Sequence, residues 1–369
     1  MAKKIKRIAL AVTALLAIGI AALAWSMSDK LGDMHISTDR PEQPGSEKNE
    51  NRQNVSTTPA SDTTESAPED FYILIVGMDT RPSSRTMNTD TLILMHVLPQ
   101  HETIKMVSLP RDLRMESDTN GVRKINFLFY EGYLETLRKT QENPALLSGK
   151  KTSIGGLKFP EEHIGGGLAH LRDEIETWMG IDIRHIVLVD FESIISLVDA
   201  VGGIEIEVKR SMYYDDPTDG THIRFEPGLQ EMDGQQALNY ARFRHDNRGP
   251  QYDSNDFERA DRQQQIIMAL ADKLVSWKSV GRLINITDIV SSSIKTDMTR
   301  SEMMSYIQKY YKTFDSSSLV SIPFNGYWEA PYVKISDEEF QKLKRQFTDT
   351  GSPLQEKPSI VRGNGPMES

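Results

Sequence analysis

The stretch FYILIVGMDTRPSSRTMNTDTLILMHVLPQHETIKMVSL, residues 71–109, contains three short apolar runs separated by polar segments. The runs cover residues 71–76, 91–98 and 103–109, and their branched and aromatic content predicts three β-strands. The turn at residues 99–102 is short enough to force the second and third strands to be antiparallel, and the first pair is expected to be antiparallel too. The end of the first strand, the start of the second and the end of the third therefore meet at one edge of the sheet.

Charged residues lie where these strands meet, namely Asp79, Arg81, Asp90, Arg111 and Asp112. Mg²⁺ is typically held by one or two carboxylates together with substrate phosphates, and two aspartates beside arginines offer that combination. In the alternative interpretation Asp79 is only a turn residue and Asp90 caps the loop before a strand. The eight histidines show no metal-site or triad spacing and are interpreted as structural.

A second informative stretch, residues 233–267, gathers five arginines in an otherwise acidic protein: Arg242, Arg244, Arg248, Arg259 and Arg262. Asn255 and Glu258 have the spacing of a helix capping box, and Ile266, Leu270 and Leu274 follow at helical period. Arg259, Arg262 and Gln263 fall on the same stripe as these apolar residues, so the first turns of the helix present cations toward the core.

Positive charge is unfavourable at a helix N-terminus, and an anion bound there would resolve the conflict. The alternative is a surface ion network, in which nearby carboxylates simply pair with the arginines. The acidic residues available for it are Asp246, Asp253, Asp256, Glu258 and Asp261.

Apolar runs at residues 185–190, 204–208 and 318–323 predict further strands, and they alternate with predicted helices at residues 167–179, 191–201 and 262–277. This alternation predicts an α/β fold with helices on both faces of a central sheet.

Composition excludes several classes of site. The chain has 369 residues, a formal net charge of −10 and no cysteine. A disulfide framework, a thiolate zinc site and a cysteine nucleophile are therefore excluded. The negative charge gives no general attraction for a nucleic-acid partner, and none is expected.

The N-terminus resembles a membrane anchor. Residues 8–25 form an uncharged apolar run of bilayer-spanning length, and the basic residues Lys3, Lys4, Lys6 and Arg7 predict a cytoplasmic N-terminus. The alternative is a cleaved signal peptide, because residues 22–24 resemble a small-residue cleavage site. The predicted organisation is a cytoplasmic end and transmembrane anchor at residues 1–27, a disordered tether at 28–69, a folded domain at 70–349 and a disordered tail at 350–369.

Seven short motifs, in order, resemble the LytR-CpsA-Psr family of cell-wall glycopolymer ligases. They are GMDTR at 77–81, TDT at 89–91, SLPRD at 108–112, KIN at 124–126, LVDAVGG at 197–203, DGQQAL with YARFR at 233–244, and DFERADRQ at 256–263. The similarity extends over about residues 70–347 and fits the predicted anchor and tether.

The resemblance implies a helix-flanked mixed sheet and an extracytoplasmic phosphotransferase in a Gram-positive type of envelope. The enzyme would move a glycopolymer, such as teichoic acid or capsular polysaccharide, from undecaprenyl pyrophosphate to the 6-hydroxyl of N-acetylmuramic acid in peptidoglycan. The implied cofactor is Mg²⁺, with Mn²⁺ as the alternative.

The resemblance also implies roles for individual residues. The implied metal ligands are Asp79 and Asp90. The implied pyrophosphate-binding residues are Arg81, Arg111, Lys124, Arg242, Arg244, Arg259, Arg262 and Gln263. The implied catalytic residues are Asp90, Arg111, Arg242 and Arg259. The alternative function is a non-catalytic wall sensor or attenuator-type regulator, which metal-dependent turnover would distinguish.

Overall fold

The computed structural model describes residues 34–38, 69–80, 87–117, 121–154, 157–218, 220–276, 294–310 and 318–351. The predicted anchor at residues 8–25, the site residue Arg81 and the tail beyond residue 351 lie outside these ranges. Within the described part, no helix has both the length and the apolar character needed to cross a membrane.

A six-stranded mixed sheet forms the centre of the domain. Its strands are β1 (Phe71–Thr80), β2 (Met87–Leu98), β3 (Thr103–Leu109), β8 (Ile183–Asp190), β13 (Ile294–Thr296) and β14 (Leu319–Ser321). Their order is β13-β8-β1-β2-β3-β14, with β1–β8 and β3–β14 parallel and the other pairs antiparallel. The predicted antiparallel pairing of the first three strands is confirmed.

Among the described residues, ten shorter strands form five antiparallel pairs outside this sheet. They are β4 (Arg114–Ser117) with β5 (Gly121–Lys124), β6 (Lys151–Ile154) with β7 (Leu157–Pro160), β9 (Ile204–Val208) with β12 (Gly228–Met232), β10 (Met212–Asp216) with β11 (Thr221–Phe225), and β15 (Tyr327–Glu329) with β16 (Tyr332–Lys334). The strand predicted at residues 204–208 therefore exists, but it pairs with β12 and not within the central sheet.

Seven α-helices are described along the chain. They are α1 (Ile125–Glu142), α2 (Glu161–Met179), α3 (Phe191–Ala200), α4 (Gly234–Arg242), α5 (Asp256–Ser276), α6 (Arg300–Tyr310) and α7 (Asp337–Thr348). The helix predicted at residues 167–179 starts earlier, at Glu161. The helix predicted at 262–277 starts at Asp256, directly after Asn255, where the predicted capping box places its N-terminus.

The strands alternate side chains between two cores, because successive residues point to opposite faces. Ile73 and Ile75 join a core with α3, α4, α5 and α6, whereas Leu74 and Val76 join one with α1, α2 and α7. The predicted helices on both faces are thus confirmed.

Helices α1 and α2 pack very closely through glycines of α2. A Cβ atom added at Gly166 would overlap the Thr136 hydroxyl, and one added at Gly167 would lie 2.7 Å from the Phe129 ring. This close approach explains why a helix continues through three consecutive glycines, which intrinsically weaken it.

Residues 34–38 do not behave as the free tether that the sequence predicts for 28–69. His35 bridges Thr296 of β13, the amide of Ile36 donates to the Thr296 carbonyl at 2.9 Å, and Ile36 is completely buried. The burial of Met34 and Ile36 accounts for this docking, since both side chains add apolar area to the cores. The remaining boundaries of tether and tail stay predictions.

Candidate active site at the edge of the sheet

A β-bulge places Asp90 at the edge of the central sheet. Gly77 pairs with Thr91 and Met78 pairs with Thr89, so Asp90 is the extra residue of β2. Bulges commonly redirect a side chain beside an active site. Asp79 lies opposite Asn88 in the same strand pair. For Asp79 only the backbone position is described.

The loop after β3 brings Arg111 to Asp90. The guanidinium Nη1 donates to Asp90 Oδ1 at 3.0 Å, with both side chains about one-fifth exposed. The start of α1 holds this loop, because the Asn126 amide donates to the Arg111 carbonyl at 3.2 Å and the Ile125 amide donates to the Leu113 carbonyl at 2.9 Å. Arg111 is therefore presented from a fixed backbone.

Helix α5 supplies the third side of the site. The Asn255 side chain caps it by accepting from the Glu258 amide at 2.8 Å, as the sequence predicts. Arg259 and Gln263 are 8% and 6% exposed, on the same buried stripe as Ile266. The prediction that the first turns of this helix face inward is confirmed.

These elements enclose a small polar pocket. Its lining includes Asp90, Thr91, Ser108, Arg111, Arg259 and Gln263. Within the described structure, the buried hydroxyl oxygens of Thr91 and Ser108 have no hydrogen-bond partner. Because unsatisfied buried polar groups are costly, their presence beside two guanidinium groups favours a bound multiply charged anion.

An apolar cavity adjoins the polar pocket. It lies between the sheet and helices α3, α4 and α5, and it shares Thr91 and Gln263 with the pocket. The other lining residues are Ile75, Gly77, Val187, Val189, Ile194, Leu197, Leu238, Ala241, Ile266, Ile267, Leu270 and Ile294. Its volume of about 80 Å³ is below that of most ligand sites, so a long apolar chain would have to move the helices apart.

Arg262 contributes to the fold through buried hydrogen bonds and lies outside the described lining of the pocket, so its contact with pyrophosphate stays a prediction. It donates to the carbonyls of Tyr240 and Phe243 at 2.8 and 2.6 Å and to Ser254 Oγ at 2.8 Å. It is 4% exposed, and burial lowers the pKa of its guanidinium to about 10. The end of α4 needs these hydrogen bonds, because the last carbonyls of a helix have no donor within the helix.

Arg248 belongs to the ion network that the alternative interpretation predicts. Two of its nitrogens donate to Asp246 at 2.8 Å, and its guanidinium lies over the rings of Tyr213 and Tyr252. Glu258 pairs with Arg210 at 2.8 Å. The arginine-rich stretch therefore combines both interpretations, with Arg259 at the pocket and Arg248 in the network.

Three further implied phosphate-binding residues, Arg242, Arg244 and Lys124, lie outside the described lining of the pocket. Arg242 is half-buried as the last residue of α4, and Arg244 is exposed two residues later. Lys124 contacts Asp112 at 2.9 Å and so holds the loop that carries Arg111. For these three residues, phosphate contact stays a prediction.

Sequence reasoning did not identify Thr91 and Ser108 as site residues. Both lie in short stretches that were singled out for neighbouring charged residues, TDT at 89–91 and SLPRD at 108–112. A hydroxyl group immediately beside a predicted charged site was the available signal.

The pocket offers few side chains that could bind a divalent cation. Among the residues that the structure describes, no group of three or more His, Cys, Asp or Glu side chains could hold a metal ion by itself. Asp90 nevertheless offers one carboxylate inside a pocket suited to phosphate, which fits the sparse protein ligation typical of Mg²⁺.

Comparison with known proteins supports the resemblance. The family model LytR_cpsA_psr matches residues 35–349. A polyisoprenyl-teichoic acid–peptidoglycan teichoic acid transferase, TagV of Bacillus subtilis, is 28% identical over 69% of this chain and 56% of the relative. The transferase TagU of Halalkalibacterium halodurans is 31% identical over 63% of this chain and 62% of its own.

The same fold is found in a solved relative. The crystal structure of B. subtilis TagV has a TM-score of 0.55 and 24% identity, covering 76% of this chain and 97% of that one. The α/β fold with a mixed central sheet and flanking helices is therefore shared. The chain spans 56% and 62% of the lengths of the two transferases named first.

Proposed function

Because the chain belongs to the LytR_cpsA_psr family, we propose that it transfers a glycopolymer from a polyprenyl pyrophosphate carrier to peptidoglycan. One observation carries this proposal. A pocket with two arginines and two unsatisfied hydroxyls adjoins a cavity lined mainly by apolar side chains, which matches a ligand that is anionic at one end and a hydrocarbon chain at the other.

The reaction is a phosphoryl-group transfer. A hydroxyl of the acceptor sugar forms a bond to the phosphorus that carries the glycopolymer, and the bridging P–O bond breaks. Polyprenyl phosphate leaves with the bonding electron pair. The hydroxyl proton passes to the carboxylate of Asp90 when that carboxylate does not hold a cation, because metal ligation competes with the role of base.

Arg111 and Arg259 act by charge neutralisation. The negative oxygens of a pyrophosphate diester repel an incoming nucleophile, and fixed guanidinium groups stabilise the charge that develops on the leaving phosphate. Thr91 and Ser108 would donate hydrogen bonds to the phosphate oxygens. The start of α1 already fixes the backbone that bears Arg111, and the cap of α5 fixes the helix that bears Arg259. The site therefore needs little reorganisation when the pyrophosphate binds.

A divalent cation, Mg²⁺ or Mn²⁺, fits the same pocket. Asp79 and Asp90 would hold it together with phosphate oxygens. When bound, it would supply further neutralisation of charge at the reacting phosphate.

The proposal includes a membrane location. Residues 8–25 would anchor the chain, with the N-terminus in the cytoplasm and the catalytic domain outside. Protease added to cells stripped of their wall should remove residues beyond about 28 while the N-terminal segment stays in the membrane. Recovery of a soluble form that starts near residue 25 would instead indicate a cleaved signal peptide.

The test of the enzymatic proposal uses the full-length protein in detergent, a polyprenyl-pyrophosphate glycopolymer and peptidoglycan. Release of polyprenyl monophosphate should require Mg²⁺ or Mn²⁺ and should fall by orders of magnitude in Arg111→Ala and Arg259→Ala. Arg→Lys should recover little, because a point charge does not reproduce bidentate phosphate contacts.

The control variant is Arg224→Ala, since the Arg224 side chain is 57% exposed, pairs with Asp215 on the β10–β11 hairpin and is outside the pocket lining. Its release rate should match that of the wild type. Carrier binding without any turnover would favour the sensor or regulator, and wild-type turnover in both arginine variants would remove the proposed mechanism.

A further inference from the structure

A second, larger groove adjoins the polar pocket on the side away from the apolar cavity. Its volume is about 540 Å³, within the usual range for ligand sites. Ser108, Pro110 and Ala260 line both the groove and the pocket. The groove is thus continuous with the place where the reacting phosphate is proposed to bind.

Three sites follow one another across the central sheet. The apolar cavity lies against β13, β8 and β1, the pocket against β2 and β3, and the groove against β3 and β14. In phosphoryl transfer the attacking and leaving oxygens are roughly in line with the phosphorus. If the leaving polyprenyl phosphate occupies the cavity side, the attacking hydroxyl must enter from the groove side.

The groove has the chemistry of a sugar-binding surface. Phe257 and Phe324 stack with ring centroids 6.4 Å apart, and Tyr327 is 49% exposed at the same wall. Polar side chains complete the lining: Asp261, Gln264, Asn325, Ser336 and Glu339. Rings with an apolar face and nearby hydrogen-bonding groups suit the C–H faces and hydroxyls of a pyranose.

The charge of the groove favours the acceptor glycan over the donor polymer as its ligand. None of its described lining residues is basic, and its carboxylates pair with Lys209 at 3.3 Å and Lys342 at 3.8 Å. A polymer with repeated phosphates would meet the carboxylates of Asp261 and Glu339, whose lysine partners are already engaged, whereas an uncharged amino-sugar backbone needs no cations. The occupant that fits is therefore the acceptor glycan.

We propose that this groove, with Tyr327 as its stacking platform, binds the glycan strand of the peptidoglycan acceptor and presents its hydroxyl past Ser108 to the phosphate. The assignment rests on the proposed transferase function. Asn325 donates to Glu339 at 2.9 Å and Ser336 caps α7 by accepting from the Glu339 amide at 3.3 Å. The polar wall is thus already ordered before the glycan binds.

Kinetics of the full-length protein test the assignment. Tyr327→Ala should raise the KM for a soluble uncross-linked glycan acceptor about tenfold, because it removes the ring on which the sugar is proposed to stack. The donor KM should not change. Tyr327→Phe retains the ring and should restore most of the acceptor affinity.

Trp328→Ala is the matched control. Trp328 is the next residue of the same strand and is 55% exposed, but it points to the opposite face and is outside the groove lining. Its acceptor KM should equal the wild-type value. An unchanged acceptor KM in Tyr327→Ala, or a raised donor KM in its place, would overturn the assignment.

A binding measurement separates this inference from the transferase proposal. Ligand-observed NMR with a peptidoglycan glycan fragment should show saturation transfer to wild type and Trp328→Ala and a loss of it in Tyr327→Ala. If the wild-type protein shows no turnover, the transferase proposal fails. The NMR result still shows whether the groove binds the glycan. Equal binding by all three proteins would overturn it.

Discussion

Replacing Arg262 by Met tests whether this buried arginine serves the fold or the anion. The substitution removes three hydrogen bonds, two of them to the carbonyls of Tyr240 and Phe243. Bonds to charged groups contribute roughly 1.5 kcal/mol or more each, and the orphaned carbonyls remain buried. Part of the loss is offset because the desolvated charge is also removed.

We therefore expect a loss of about 3 kcal/mol in the free energy of unfolding. At about 2–4 °C per kcal/mol for a domain of this size, Tm should fall by about 6–12 °C. Arg262→Lys should recover little, because one ammonium does not span three acceptors on two elements.

Thermal and denaturant unfolding, followed by circular dichroism, measure this effect. Arg244→Met is the control, because it removes the same charge from an exposed position in the same stretch and should change stability by no more than about 0.5 kcal/mol. An Arg262→Met variant with wild-type Tm and abolished carrier binding would refute the structural role and restore Arg262 to the anion site.

Three further changes separate packing, charge and function. Gly166→Ala should lower the free energy of unfolding by about 1–3 kcal/mol, because the new Cβ overlaps the Thr136 hydroxyl, and this outweighs the better helix propensity of Ala. An unchanged midpoint in denaturant unfolding would contradict the close packing of α1 and α2. Hydrogen bonding by Arg248 lowers the pKa of Asp246 to about 2, so its contribution to stability is complete above about pH 4 and is lost as pH falls toward 2; Asp246→Asn should flatten that part of the stability–pH curve, and an identical slope in both proteins would contradict it. Thr91→Val removes an unsatisfied buried hydroxyl and should leave Tm unchanged or higher while slowing polyprenyl phosphate release about tenfold; a lower Tm with normal release would mean that the hydroxyl serves the fold.

The strand arrangement was predictable because local signals determine it. The four-residue turn between residues 91–98 and 103–109 is too short for parallel pairing, so the two strands are antiparallel. Antiparallel pairing places Asp90, before the first strand, and Arg111, after the second, at the same edge of the sheet. The orientation of Arg259 and Gln263 followed from helical period for a similar reason. Both inferences use neighbours close in sequence.

The rest of the site depends on contacts that no local pattern encodes. Arg259 and Arg262 lie on one stripe of α5 but have different contacts. Arg259 lines the pocket, whereas Arg262 donates to carbonyls at the end of α4, some twenty residues earlier in the chain. The bulge at Asp90 exists only in the pairing of β1 with β2. The groove is assembled from β3, α5 and residues 321–339, whose short strands give no distinctive periodicity.

If residues 8–25 anchor the chain as proposed, the docking of residues 34–38 on β13 limits how far the folded domain can stand from a bilayer. If the proposed span ends near residue 25, nine residues separate it from the first fixed position, and even fully extended they reach only about 30 Å. The domain would then be confined to a thin layer above the lipid surface. Within that layer the apolar cavity would meet its carrier by lateral diffusion of the lipid, so that carrier abundance per membrane area, and not per volume, would set how often the site is filled.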